Sequence, residues 1–195
     1  MIELPLPDLD VEEIEAVGVV LDAGRGTLPY ALVHGEPLVA CAAWSLGEAG
    51  VQLLDLGTPW ARLAAEDRCL VLHDALCPLA PPAFLAACVQ AAEEHDAVVV
   101  AARPVTDTVK EIGHGGVVGD VVDRDRLLAV ASPLVLPPRV LALMADPDLD
   151  AGPELADLLA LLARTEEVLV VAAPPTARRV HDLDDLRLLE ALDPR

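Results

Sequence analysis

The chain has 195 residues, and 54% of them are hydrophobic. That is enough to bury one substantial core, so we expect a single domain over residues 1–195. The formal net charge of -20 argues against binding to DNA, RNA or anionic membranes, because such binding requires Lys and Arg to neutralise phosphates. A nucleotide ligand would need a local cationic or amide-lined site, or a divalent metal, to offset this field.

The first half of the chain alternates short apolar runs with helical segments. Aromatic residues make up only 2% of the sequence, so the strands and helices must pack through Ala, Val and Leu, which is typical of strands buried on both faces. We predict strands at 17–21, 51–56, 69–73 and 97–102, and helices at 37–49, 60–65 and 81–94. This alternation predicts a parallel, doubly wound sheet.

The second half contains a segment that breaks this rhythm. Residues 106–112 and 117–122 read as two strands of a hairpin, joined by the glycine-rich turn at 114–116. The hairpin belongs to a β-arm that we expect over about 104–126, projecting from the sheet. After it we predict strands at 129–136 and 168–172, and helices at 137–144, 154–163 and 183–192.

The N-terminal segment, the length of the apolar runs and the cysteines indicate in which compartment the protein is expected. Residues 1–15 are acidic and lack the features of a secretory signal, and no apolar run reaches the roughly 20 residues of a membrane span. Cys41, Cys69, Cys77 and Cys88 show no CxxC spacing, so we expect buried reduced thiols rather than a metal site or disulfides. A cytoplasmic protein is the expectation.

Three segments carry a family resemblance. Residues 101–126, AARPVTDTVKEIGHGGVVGDVVDRDR, resemble the substrate-binding arm of 2-C-methyl-D-erythritol 4-phosphate cytidylyltransferases. Residues 22–27, DAGRGT, are similar to that family's L-A-A-G-x-G-T-R loop, and residues 70–78, LVLHDALCP, are similar to its V-H-D-A-A-R-P motif. The resemblance implies a Rossmann-like (GT-A-like) nucleotidyltransferase fold with a mostly parallel sheet and a projecting arm. It also implies transfer of CMP from CTP to methylerythritol phosphate, a step of isoprenoid biosynthesis.

The glycine-containing loop is the candidate nucleotide site. A loop after a buried strand can cradle phosphates with backbone amides, although glycines serve many turns for steric reasons alone. By resemblance, the nucleotide-binding residues are Ala23, Gly24, Arg25, Gly26 and Thr27.

The family's catalytic cations are replaced. Leu28 and Cys77 stand where the family has Arg, Tyr30 stands where it has Lys, and Asp22 adds a carboxylate beside the loop. The sequence therefore assigns no catalytic residue. Asp74 follows a predicted strand, where ligands of open α/β sheets bind. By resemblance Asp74 would hold Mg²⁺ with the CTP phosphates, whereas a turn or helix-capping Asp is the plain alternative.

The arm and the C-terminal region hold candidate substrate-binding residues. By resemblance, Thr108 and Arg124 reach across a homodimer to bind the methylerythritol phosphate in the partner's site. Lys110 is the only lysine of the chain; it is a third candidate, although it could also be an ordinary solvated strand residue. Arg179 stands where the family has a phosphate-binding Lys, and keeps its charge.

Cytidylyl transfer brings two anions together, so cations and metal supply most of its catalysis. The sequence therefore predicts the family's fold and homodimer with very weak or lost activity. Two alternatives stay open: an active enzyme in which Arg25, Arg179, Mg²⁺ and backbone amides replace the missing cations, or a non-catalytic binder of another phosphorylated small molecule. The homodimer has a physical motive too, because an isolated two-stranded hairpin is marginally stable in water.

Overall fold

A computed structural model describes residues 3–4, 14–55 and 57–193. The strands occupy β1 (Glu3–Leu4), β2 (Ala16–Leu21), β3 (Leu32–Val33), β4 (Glu36–Pro37), β5 (Val51–Leu53), β6 (Cys69–Asp74), β7 (Val98–Pro104), β8 (Val109–Ile112), β9 (Val118–Val122), β10 (Leu128–Leu136) and β11 (Val168–Ala172). The helices are α1 (Leu38–Glu48), α2 (Trp60–Leu63), α3 (Pro82–His95), α4 (Pro138–Leu143), α5 (Leu155–Leu162) and α6 (Leu183–Leu192).

Seven strands form the central sheet, in the order β1-β11-β7-β10-β6-β2-β5. Neighbouring strands are parallel except at β10, which runs antiparallel to both β6 and β7. The predicted mostly parallel, Rossmann-like α/β fold is confirmed.

Helices cover both faces of this sheet. One face packs apolar residues of α1 and α3 against the strands, and the other face packs α2, α4 and α5. All six side chains of β6 are buried, as expected for a strand between two helical layers. Gly18 in β2 permits the close packing, because a Cβ there would lie 2.7 Å from Cγ1 of Val51.

The β-arm consists of β8, β9 and the turn between them. The two strands pair antiparallel and form a sheet of their own. Every residue from 110 to 121 is exposed, including the apolar side chains of Ile112, Val117, Val118 and Val121, which are 62–78% exposed. Within one chain, the arm therefore leaves an apolar surface uncovered.

Most predicted elements are present with shifted ends. The first arm strand starts at Val109 rather than at 106, and the strand predicted at 51–56 ends at Leu53, with residue 56 outside the described residues. The short hairpin β3–β4 and strand β1 were not predicted, because two-residue strands carry too little pattern. The four cysteines are buried, as expected. No described helix is long and apolar enough to cross a membrane.

Candidate functional site

The candidate site lies at the carboxyl ends of β2 and β6. These strands are parallel neighbours, and their register pairs Leu21 with Asp74. The loop that follows β2, residues 22–27, therefore comes to lie beside Asp74. This is the edge of an open α/β sheet at which ligands bind.

Arg25 and Asp74 form a buried bidentate ion pair in this crevice. Arg25 Nε donates to Oδ1 of Asp74 at 2.8 Å, and Nη2 donates to Oδ2 at 3.0 Å. Nη1 donates to the carbonyl of Ala23, and Nη2 lies 3.3 Å from the carbonyl of Pro153. The Arg25 side chain is 1% exposed and that of Asp74 is 3% exposed. The Arg25 guanidinium thus points into the protein rather than toward the solvent.

Arg179 brings a second guanidinium to the same carboxylate. Its Nε lies 3.4 Å from Asp74 Oδ2, close enough for electrostatic attraction but without the geometry of a hydrogen bond. Its Nη2 is bound by Glu154, with the Oε2 atom at 2.8 Å. The crevice therefore holds two arginines and two carboxylates, and their charges cancel.

Ser132 and His73 form a buried hydrogen-bonded group next to the Asp74 backbone. The Ser132 hydroxyl accepts a hydrogen bond from the Asp74 amide at 2.9 Å and lies 2.5 Å from Nδ1 of His73. His73 is fully buried, and this burial lowers its pKa from 6.5 to about 4, partly opposed by the nearby Asp74 carboxylate. His73 is therefore a neutral packing and hydrogen-bonding residue at neutral pH. From the sequence, histidines without metal-ligand spacing or a nucleophile partner are expected at surface or turn positions, and this prediction is wrong for His73.

The three positions that lack the family's cations are occupied by side chains with other contacts. Leu28 is half-buried and packs against the apolar cluster that includes Leu38 and Leu76. Tyr30 is 60% exposed, and its hydroxyl donates to Asp22 at 3.0 Å, a hydrogen bond that raises the Tyr30 pKa. Cys77 is fully buried, and burial raises the pKa of its thiol, which keeps it protonated.

The loop closes on the segment that precedes α5. Gly152 has a φ of +70°, and a Cβ placed on it would lie 2.2 Å from the carbonyl oxygen of Ala23. Gly24, with a φ of +75°, faces Gly152 from the other side. The cavity of this crevice, lined by Asp74, Cys77, Glu154 and Arg179 among others, has a volume of about 30 Å³. Small-molecule sites usually measure about 300–1,000 Å³, so this cavity does not accommodate a nucleotide in the closed arrangement.

The predicted substrate-binding residues fall into two groups. Arg179 joins Arg25 and Asp74 in the crevice, whereas Thr108, Lys110 and Arg124 are exposed on or beside the arm. Arg124 Nη1 donates to the carbonyl of Thr106. No hydrogen bond or ion pair within the described residues joins the arm group to the crevice.

The remaining predicted loop residues, Gly26 and Thr27, are exposed at the tip of the loop, where their backbone amides remain a predicted phosphate contact. Sequence reasoning missed Glu154 and Ser132 as members of this site. Ser132 lies in a Ser-Pro-Leu segment that matches the family's T-P-Q only in part, and Glu154 follows the Asp-Ala-Gly-Pro segment at 150–153. These weak, partial matches to family segments are the only signal in the sequence that could have pointed to Ser132 and Glu154.

The fit of a divalent cation can be judged from the donor atoms. Oδ1 of Asp74 accepts from Arg25 and from the Leu76 amide, and Oδ2 accepts from Arg25. Among residues 3–4, 14–55 and 57–193, no three His, Cys, Asp or Glu side chains are grouped to hold a metal. Mg²⁺ prefers several oxygen ligands at about 2.0–2.1 Å. It does not fit at Asp74 while Arg25 occupies the carboxylate, and Mg²⁺ binding there stays a prediction that requires Arg25 to move.

Comparison with known proteins gives a consistent picture. The family model for 2-C-methyl-D-erythritol 4-phosphate cytidylyltransferase matches residues 59–192. The cytidylyltransferase of Symbiobacterium thermophilum is 38% identical over 120 residues, which cover 60% of this chain and 48% of that protein. The bifunctional enzyme IspD/IspF of Nitratidesulfovibrio vulgaris is 34% identical over 136 residues, covering 69% of this chain and 34% of that enzyme. The matched region thus spans between about a third and a half of these curated relatives.

Solved structures share the fold. The 2-C-methyl-D-erythritol 4-phosphate cytidylyltransferase of Thermus thermophilus superposes with a TM-score of 0.68 at 21% identity, covering 92% of this chain and 98% of that one. The 4-diphosphocytidyl-2C-methyl-D-erythritol synthase of Anaerococcus prevotii gives a TM-score of 0.66 at 15% identity, covering 93% of this chain and 99% of that one. At these identities the likeness concerns the fold. Because the family model matches well over half of its residues, the chain belongs to the 2-C-methyl-D-erythritol 4-phosphate cytidylyltransferase family.

Proposed function

We propose that this chain is a family member in which the cytidylyltransferase reaction is very weak or lost. The observation that carries the proposal is the state of the three cation positions. Leu28 and Cys77 are apolar or buried, and Tyr30 is hydrogen-bonded to a carboxylate. None of these side chains carries a positive charge at neutral pH.

The reaction joins two phosphate-bearing substrates, so negative charge accumulates as they approach. Enzymes of this kind depend on preorganised cations and hydrogen-bond donors, and removing one such donor costs about 10²–10³ in rate. Effects of residues that act together do not add simply. With three cation positions replaced, even a partial accumulation of these losses removes useful turnover.

Arg25 and Arg179 favour the alternative of substitute cations, because both converge on the crevice. Their pairing argues against it. Asp74 neutralises Arg25, and Glu154 binds Arg179. A triphosphate entering this crevice would meet no net positive charge, within a chain whose formal charge is -20.

Pyrophosphate release tests this proposal. The purified protein is incubated with CTP, Mg²⁺ and methylerythritol phosphate, with the Thermus thermophilus cytidylyltransferase as a positive control. We expect no release above background for this chain. Turnover at an ordinary enzymatic rate of about 1 s⁻¹ or more would overturn the proposal and support the substitute-cation alternative, with Mg²⁺ as its cofactor.

The arm supports a second part of the proposal, a two-fold homodimer. Ile112, Val117, Val118 and Val121 present apolar surface on a hairpin that has little support of its own. Burying this surface against the same arm of a second chain would satisfy both copies. Light scattering at micromolar concentration should give twice the chain mass, and a monomer mass would contradict the homodimer.

A non-catalytic phosphate binder is the second candidate function, and the charges of the arm favour it. Lys110 forms no ion pair within the described residues, and Arg124 contacts a carbonyl rather than a carboxylate. These cations, with Thr108, could hold a phosphate monoester contributed to a partner's site. Thermal shifts across a panel of sugar phosphates should reveal a ligand whose effect disappears in Lys110→Gln, and a flat panel would count against binding.

A further inference from the structure

Four oxygens surround the Arg25 guanidinium. They are Oδ1 and Oδ2 of Asp74 and the backbone carbonyls of Ala23 and Pro153. Carboxylate and carbonyl oxygens are also the donors that hard divalent cations select. The Arg25 guanidinium thus occupies a cage of oxygen atoms of the kind that also bind a divalent cation.

The backbone of the loop is shaped to deliver Arg25 into this cage. Gly24 and Gly152 both have positive φ values, and their close approach leaves no room for a side chain at Gly152. The Arg25 contacts join three segments that are distant in sequence: the loop after β2, the end of β6 and the segment preceding α5. Because the Arg25 side chain bonds to all three segments, the loop cannot move away from Gly152 without also releasing the Asp74 carboxylate.

We propose that Arg25 is the resident cation of this crevice, taking the place of a divalent metal on Asp74 and thereby making the closed protein independent of such metals. A guanidinium satisfies both carboxylate oxygens at once, because its fork of N–H donors matches the geometry of the carboxylate. In the closed state both carboxylate oxygens of Asp74 accept hydrogen bonds from Arg25, so neither is left unshared for an ion.

Arg25 also determines what the crevice excludes. A metal–nucleotide complex can reach Asp74 only if the ion pair breaks and the loop moves away from Gly152. The oxygens that Arg25 leaves would then be available to a cation. Metal binding and turnover are separate properties. Metal binding at Asp74 in the wild type would refute the role of Arg25 without restoring turnover, and turnover would refute the proposed function without deciding the role of Arg25.

Manganese binding tests this role, with Mn²⁺ as the probe in about 150 mM salt so that weak association with the acidic surface is screened. Free Mn²⁺ is followed by electron paramagnetic resonance for wild type, Asp74→Asn, Arg25→Ala and the double variant Arg25→Ala/Asp74→Asn. We expect wild type and Asp74→Asn to bind Mn²⁺ alike. Arg25→Ala should gain one site at least tenfold tighter than any in the double variant.

Two results would overturn the proposal. One is an Asp74-dependent Mn²⁺ site in the wild-type protein, which would show that Arg25 does not keep the ion out. The other is an Arg25→Ala protein that is folded by circular dichroism and gains no site. Should Arg25→Ala fail to fold, wild-type crystals soaked in Mn²⁺ decide the matter, since an anomalous peak beside the Asp74 carboxylate would refute the proposal and its absence there would support it.

Discussion

Breaking the Arg25–Asp74 pair should cost far more stability than breaking a surface pair. In Arg25→Met, Asp74 stays buried and keeps the hydrogen bond from the Leu76 amide, but its nearest remaining charged partner is the more distant Arg179, whose Nε lies 3.4 Å away. Loss of one partner of a buried ion pair costs about 3–5 kcal/mol, and the residual attraction to Arg179 places this variant near the lower end, at about 3 kcal/mol. With urea m values of about 1–3 kcal/mol/M, the midpoint should fall by about 1–3 M.

A double-mutant cycle separates the pair from its surroundings. Asp74→Leu strands the buried Arg25 guanidinium, whereas Arg25→Met/Asp74→Leu removes both charges and should lie within about 1 kcal/mol of wild type. The matched control is Arg139→Met, because Arg139 is 45% exposed and pairs with Asp96 and Glu166. Exposed pairs contribute about 0–1 kcal/mol. If Arg25→Met lowers the free energy of unfolding no more than Arg139→Met does, the buried ion pair stabilises the fold no more than an exposed pair, and the prediction is wrong.

Three further predictions follow from packing and burial. As pH falls from about 6.5 to about 4, the unfolded chain protonates His73 before the folded one does, so up to about 3 kcal/mol of stability should be lost, and His73→Leu should lack this pH-dependent loss. Gly152→Ala should destabilise by well over 1 kcal/mol in urea unfolding, and by more than Gly116→Ala, which shares the positive φ but has open space at its Cβ; equal losses would contradict the steric reading. Val118→Asp should convert the proposed dimer to a monomer in light scattering. Leu143→Asp, at an apolar residue outside the arm that is 75% exposed against 65% for Val118, should not.

Much of the architecture is predictable because the sheet is buried on both faces. Runs such as 69–73 and 97–102 have no polar face, and this marks parallel strands between helical layers. The arm is predictable from the opposite signal, the break in that rhythm at the glycine-rich turn. The antiparallel direction of β10 is not encoded in its own residues. It follows from the arm, which returns the chain to the sheet beside β7 rather than through a helical crossover.

The position of Asp74 is predictable in the same way, since carboxyl ends of parallel strands meet at one edge. The pairing with Arg25 is not. Arg25 contacts a residue 49 positions away and a carbonyl 128 positions away, and sequence patterns carry no information on side-chain direction over such separations. His73 shows a different limit. A titratable residue within an apolar run is expected at the surface, but β6 is covered by helices on both faces, so its histidine is buried.

The cancellation of charge in the crevice has a consequence for the kinetics of encounter. In most phosphate-binding enzymes a cationic cleft draws anionic ligands in, and added salt slows their arrival by screening that attraction. Here the arginines of the crevice are matched by Asp74 and Glu154, so a distant anion experiences the repulsion of the whole acidic chain. Rising ionic strength should therefore speed the arrival of a polyanion at this crevice, the reverse of the usual salt effect.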